Sequence, residues 1–278
     1  MVAQLLSSRL THYRQRAPIR WQVLAFYPHK KEILAMPDTP FRTWMTRLCQ
    51  PEGNRPEWPV LLCSMLEAEL LRQQEEPRTY AGAAIIIQRT EHDFQSATGE
   101  KRAVYGLYHR CLQETGGCLT IGDDCYWLLS YEVPNQGSYR MRRADLVGLT
   151  TEGGLAVFEC KLGNNRYGPF AAILEGLDYL ACLTSELNFT RLQDDYWKLR
   201  EQLPVPDAFQ AVEPTRTAQH QIIVLGPPEY YRLYDESMRG KGWRDVASNH
   251  CHPPTLQISL AVADLDPEGF YRRQIDWC

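Results

Sequence analysis

No run of about eighteen apolar residues occurs anywhere in this 278-residue chain, so nothing in it reads as a transmembrane helix. The opening residues, MVAQLLSSRLTHYRQR, lack a long apolar core and a small-residue cleavage site, which gives the expectation of a cytoplasmic protein with no membrane partner. Nine cysteines are present without a single Cys-x-x-Cys pair. An odd count in an intracellular chain points to reduced thiols rather than a disulfide framework. Positive charge is not in excess either: 30 Lys and Arg stand against 34 Asp and Glu, a formal net charge of −4. That balance excludes a protein that coats nucleic acid by bulk charge and leaves room only for a local basic patch. His250, Cys251 and His252 form the most metal-like string, but it has no second half at zinc-ligand spacing. No internal repeat is evident.

What remains is the composition of a globular protein, 44% hydrophobic and 23% charged, long enough for one large domain with a substantial extension. Residues 1–95 read as a mixed α+β extension of unknown role: helical spacing at Thr39–Cys49 and Pro59–Glu76, strands at WQVLAFYP and at Gly82–Thr90. The polar, turn-prone HDFQSATGEKR then marks a boundary near residue 95, so 96–278 is expected to form the second domain. There Val104, Leu107, Tyr108, Cys111 and Leu112 fall on one helical stripe that Gly116-Gly117 would stop. Strand patterns follow at CYWLLSYEVP, Ala144–Leu149 and Leu155–Lys161, then a helix with Pro169 near its first turn, an amphipathic stretch Leu192–Leu203, and strands at Gln219–Pro227 and LQISLAVADLD.

Two of these strands carry charges where apolar residues are expected. TTEGG separates them, and a three-residue loop Thr151-Glu152-Gly153 would put Gly153 where a left-handed backbone is required. Position 150 then faces 154, and the register run outward sets Asp145 opposite Glu159 on one face of the sheet, with Lys161 sharing that face two residues on. Val147, Leu149, Leu155 and Val157 lie on the charged face; Ala144, Leu146, Ala156, Phe158 and Cys160 lie on the other. With both faces apolar, the sheet is expected to be covered by helices on both sides. Burying isolated charges in such a setting costs several kcal/mol per ion, so the trio must be paired, metal-bound or at the open end of the sheet. Two adjacent carboxylates repel, and a hard divalent cation removes the repulsion.

Asp145, then Glu159-Cys160-Lys161 on a strand hairpin followed by an amphipathic helix, resembles the PD-(D/E)xK nuclease superfamily. The order of elements from Gly99 to Pro227 is similar to that family's α-β-β-β-α-β core, a mixed sheet flanked by helices in the restriction-endonuclease-like fold. The resemblance covers a little under half of the chain. It implies hydrolysis of phosphodiester bonds with Mg²⁺, or Mn²⁺ as a substitute. Asp145 and Glu159 would be metal ligands, the Cys160 carbonyl a third, Lys161 the group that positions water or stabilises charge, and Glu100 an accessory acid, with Glu114 the lesser choice. The helix after the lysine often carries a Gln-x-x-x-Tyr signature; here Glu175 replaces the glutamine, with Tyr179 four residues on. AD stands where the family name has PD. Arg140, Arg142, Arg143 and Arg166 flank the site and would contact backbone phosphates, with Asn164 and Asn165 adding neutral contacts.

DNA is the expected partner, in defence against foreign DNA or in repair; RNA stays open because the same chemistry serves either backbone, as do a homodimer and a larger complex. The competing reading is a non-catalytic module of the same fold that binds nucleic acid or a protein, and the blandest is a cross-strand ion pair. Gln219 and His220 are read as structural; for Tyr230, Tyr231 and Trp243 the readings are stacking on bases or covering the sheet's edge, with core packing favoured.

Overall fold

A computed structural model of the chain describes residues 85–86, 97–135, 142–165, 169–237 and 256–277. The expected elements before residue 82, Trp243 and the His250–His252 string lie outside them.

Helix α1, Gly99–Thr115, ends where Gly116 and Gly117 turn left-handed at φ 65° and 95°, and Gly117 N–H closes the helix on the Cys111 carbonyl at 2.9 Å. Four strands follow before the next helix: β1 Cys118–Ile121, β2 Asp124–Asn135, β3 Arg142–Thr150 and β4 Leu155–Cys160. β1 is one more than the sequence pattern suggested. Its four residues carry too little alternation to stand out, and the two-residue turn led by Gly122, φ 55°, folds it onto β2. Then come α2 Pro169–Leu183, α3 Glu186–Gln202, β5 His220–Gly226, α4 Pro228–Ser237, β6 Leu256–Val262 and β7 Asp276–Trp277.

The seven strands form one mixed sheet in chain order, parallel at β4–β5 and β5–β6 and antiparallel elsewhere. α2 lies between the parallel pair β4 and β5 in the chain, the crossover that such a pair requires. Both faces of the sheet are buried. α2, α3 and the tyrosines of α4 pack with Val147, Leu149, Leu155, Val157, Ile222 and Val224 on one side. α1 and the carboxy-terminal segment pack with Leu146, Ala156, Phe158, Cys160, Ile223 and Leu225 on the other. Ala144 departs from the expected alternation and joins the α2 side together with Val133, its partner in β2. His220, Tyr230 and Tyr231 are structural as expected: His220 Nδ1 accepts the Leu155 N–H at 3.0 Å, Tyr230 is buried, and the Tyr231 hydroxyl donates to the Val224 and Ala261 carbonyls.

Candidate active site

The hairpin that brings the charges together has the predicted register. Gly153 adopts φ 84°, and β3 pairs with β4 from Leu149↔Leu155 to Leu146↔Phe158. One step further, where Asp145 faces Glu159, the two strands part. Asp145 Oδ2 there accepts the Cys160 N–H at 2.8 Å, doing with a side chain what a strand carbonyl would do. β4 meanwhile keeps its parallel pairing with β5 through Glu159↔Val224 and Cys160↔Leu225, and Lys161 N–H donates to the Leu225 carbonyl at 2.8 Å. This backbone continuity turns Glu159 and Lys161 to one face.

Lys161 is the centre of the cluster. Its Nζ lies 3.0 Å from Glu159 Oε2, 3.4 Å from Glu175 Oε2 and 4.0 Å from Asp145 Oδ2. Glu159 and Lys161 are buried, whereas the Asp145 and Glu175 side chains keep 14% and 12% of their surface and form the rim. Glu175 arrives on α2, which can approach closely because its next residue is Gly176: a Cβ there would stand 2.6 Å from Ile222 Cγ2 and 3.5 Å from Glu159 Cγ. Glu100, in the first turn of α1, reaches the loop just past Lys161, where its Oε2 accepts from Asn165 Nδ2 at 2.6 Å and from Leu162 N–H at 3.3 Å. The Tyr271 hydroxyl donates to the Lys161 carbonyl from the carboxy-terminal segment.

The electrostatics follow from this burial. Desolvation pushes the Asp145 carboxyl up to about 7 against the opposing pull of Lys161; Glu100 adds to the rise. Glu159 is raised well above the carboxylate range by burial first, with Lys161 again opposing. Burial alone would lower Lys161, but Glu159, Glu175 and Asp145 more than reverse that and hold it well above its ordinary value. A cation surrounded by acids thus stabilises a charge arrangement that the fold would otherwise reject.

Asp145, Glu159, Lys161, Glu175 and Glu100 are therefore brought to one end of the sheet. Glu114 is not: it pairs with Arg273 at 2.6 Å, exposed, at the far end of α1. Tyr179 is buried in the α2-side core rather than at the charged cluster. Arg142 opens β3 opposite Asn135, Arg143 is ion-paired with Glu132, and Arg140 and Arg166 lie outside the described residues. Glu132 itself went unread, although a lone acid inside the apolar run YWLLSYEVP was its signal. A cleft of about 420 Å³ lined by Tyr105, His109, Arg110, Asp266 and Phe270 contains none of these acids. Among the described residues, no helix is long and apolar enough to cross a membrane.

Whether the cluster suits a divalent cation can be judged from its donors. Glu159 Oε1 is buried and has no hydrogen-bond partner among the described residues, an oxygen open to a ligand. Among the described residues, no three His, Cys, Asp or Glu side chains enclose a metal ion by themselves. Mg²⁺ does not need three: one or two carboxylates, with waters and substrate oxygens, are its usual shell. The donor set fits. No protein-family model, curated protein or solved structure matches the chain.

Proposed function

We propose that the chain is a metal-dependent phosphodiesterase of the PD-(D/E)xK type, with a restriction-endonuclease-like core formed by α1, β2–β4, α2 and β5, acting on the backbone of DNA. The observation that carries this reading is the convergence of Asp145, Glu159 and Lys161 at a strand end, with one buried oxygen of Glu159 lacking a hydrogen-bond partner among the described residues. Asp145 and Glu159, with the Cys160 carbonyl, are the residues that would hold Mg²⁺ or Mn²⁺, which when bound supplies charge neutralisation and a water of lowered pKa. Lys161 has three N–H donors and no acceptor, and it stays charged through the neutral range; it orients the attacking water or stabilises negative charge on the phosphate. Glu175 and Glu159 hold its ammonium in place. Glu100 fixes the Leu162–Asn165 loop and is the accessory acid.

A second reading is supported by the closed character of the same network. Lys161 has a carboxylate on three sides, as a structural ion cluster in a non-catalytic module would. Cleavage assays separate the two. Supercoiled plasmid, single-stranded DNA and RNA are incubated with Mg²⁺, Mn²⁺ or chelator, comparing the native chain with Asp145→Asn, which keeps an acceptor for the Cys160 N–H. Metal-dependent cleavage lost in the variant is expected; equal inactivity on every substrate would leave the module reading.

A further inference from the structure

Asp145 has a carboxylate-bearing residue on either side of it in the sheet. The β2–β3 register pairs Tyr131 with Leu146 and Val133 with Ala144, so Glu132 stands across from Asp145 on one side as Glu159 does on the other. Yet the Glu132 carboxylate pairs with other cations rather than with Lys161, although its charge adds to the rise of the Asp145 carboxyl. Glu132 is the one non-glycine residue with positive φ, +49°, among the described residues, and the strand reverses there: Tyr131 packs in the α1-side core and Val133, two residues on, in the α2-side core. Strict alternation would have placed both on one face.

The reversal delivers the Glu132 carboxylate to two cations. A single oxygen, Oε2, lies 3.7 Å from Lys101 Nζ and 3.5 Å from Arg143 Nη1. These cations come from separate elements, each next to acids of the candidate site: Lys101 follows Glu100 on α1, and Arg143 is two residues from Asp145 on β3. Their side chains keep 43% and 30% of their surface while Glu132 keeps 13%, so solvent meets the cations more than the acid. Two cations focused on one oxygen beside a phosphodiester-cleaving centre have the chemistry of a phosphate contact.

We propose that Lys101 and Arg143 form a binding site for a backbone phosphate of the nucleic-acid strand, which Glu132 fills as an internal competitor. The identity of the anion rests on the nuclease reading, whereas the anion site is tested without it. Releasing the competitor with Glu132→Gln, close in size, frees both cations. With inorganic phosphate as the probe, Glu132→Gln should show a larger phosphate-dependent rise in Tm than the native chain at equal ionic strength, and the double variant Lys101→Gln/Glu132→Gln should lose that gain. With short DNA and RNA oligonucleotides in chelator, Glu132→Gln should bind several-fold more tightly, with a salt slope steeper by about one to two. Lys101→Gln alone should weaken binding and flatten the slope, which keeps the proposal open to test if Glu132→Gln fails to fold. A Glu132→Gln variant with no phosphate gain, or a Lys101→Gln chain that binds like the native one, overturns the anion site. A phosphate gain in Glu132→Gln without oligonucleotide binding by any variant sustains the site and overturns the nucleic-acid reading.

Discussion

The carboxylate of Asp145 holds the backbone N–H of Cys160 at 2.8 Å, at the point where β3 and β4 stop pairing. One side chain therefore has two tasks, closing the end of the hairpin and presenting negative charge to Lys161. Asp145→Asn separates them. The amide oxygen can still accept from Cys160, so near pH 4, where the Asp145 carboxyl is neutral in the fold, Asp145→Asn should keep the native stability within about 1 kcal/mol, while Asp145→Ala orphans that N–H at a cost of about 1–3 kcal/mol. Both should lower metal-dependent cleavage at least a hundredfold, because the lost charge is common to them. Urea melts and plasmid nicking on the two variants give the comparison; equal destabilisation would remove the hydrogen-bonding task.

Removing Lys161 has a different consequence. Its ammonium is the near partner of buried Glu159, so Lys161→Met leaves that acid without a counter-charge, and breaking such a pair costs about 3–5 kcal/mol. The variant should melt well below the native chain in chelator and recover part of the difference in Mg²⁺, since a bound cation replaces the missing charge. Cleavage should stay lost under both conditions. A melting temperature in Lys161→Met that ignores Mg²⁺ would contradict the assignment of Asp145 and Glu159 as its ligands.

The raised Asp145 carboxyl makes stability depend on pH with a definite sign. It titrates near 7 in the fold and near 4 when unfolded, so between those values the folded state binds the extra proton. The contribution of Asp145 is fully present below about pH 4, declines as pH rises, and is gone above about pH 7, a swing of about 4 kcal/mol. Mg²⁺ competes with the proton, so its stabilising effect should grow as pH rises through about 7. Denaturation of the metal-free protein from pH 5 to 8, native against Asp145→Asn, isolates this group: the slope should be shallower in the variant, and identical slopes would refute the shift.

How far the sequence disclosed this site depends on how local each signal is. The β3–β4 hairpin was legible because Gly153 and two alternating runs define both the loop and the register, and the meeting of Asp145, Glu159 and Lys161 follows from counting. Glu175 came from a helix one turn before Tyr179, but only the packing of α2 on β4 and β5 distinguishes them: Glu175 faces Lys161, and Tyr179 enters the core. β1 escaped because four residues carry too little pattern. Glu132 escaped for a deeper reason. Its direction is set by a positive φ that nothing in YEVP announces, and one of its partners is contributed by α1, thirty-one residues upstream. Ala144 pairs with Val133 and packs on the same side.

Gly176 offers the most direct test of how the fold positions the site. At an exposed helical position glycine to alanine would stabilise by about 1 kcal/mol. Here the new methyl would meet Ile222 Cγ2 at 2.6 Å, and Ile222 is fully buried in β5, so overpacking of about 1–3 kcal/mol should outweigh the helical gain. α2 has to move away from the sheet, taking Glu175 away from Lys161 and loosening the ammonium between its acids. Gly176→Ala should therefore lower both stability and cleavage, although position 176 contributes no functional group. Pairing it with Ile222→Ala, which removes the clashing methyl, completes a double-mutant cycle. The penalty of Gly176→Ala should shrink in that background; simple additivity would mean that α2 is not held at its height over β4 and β5 by this contact.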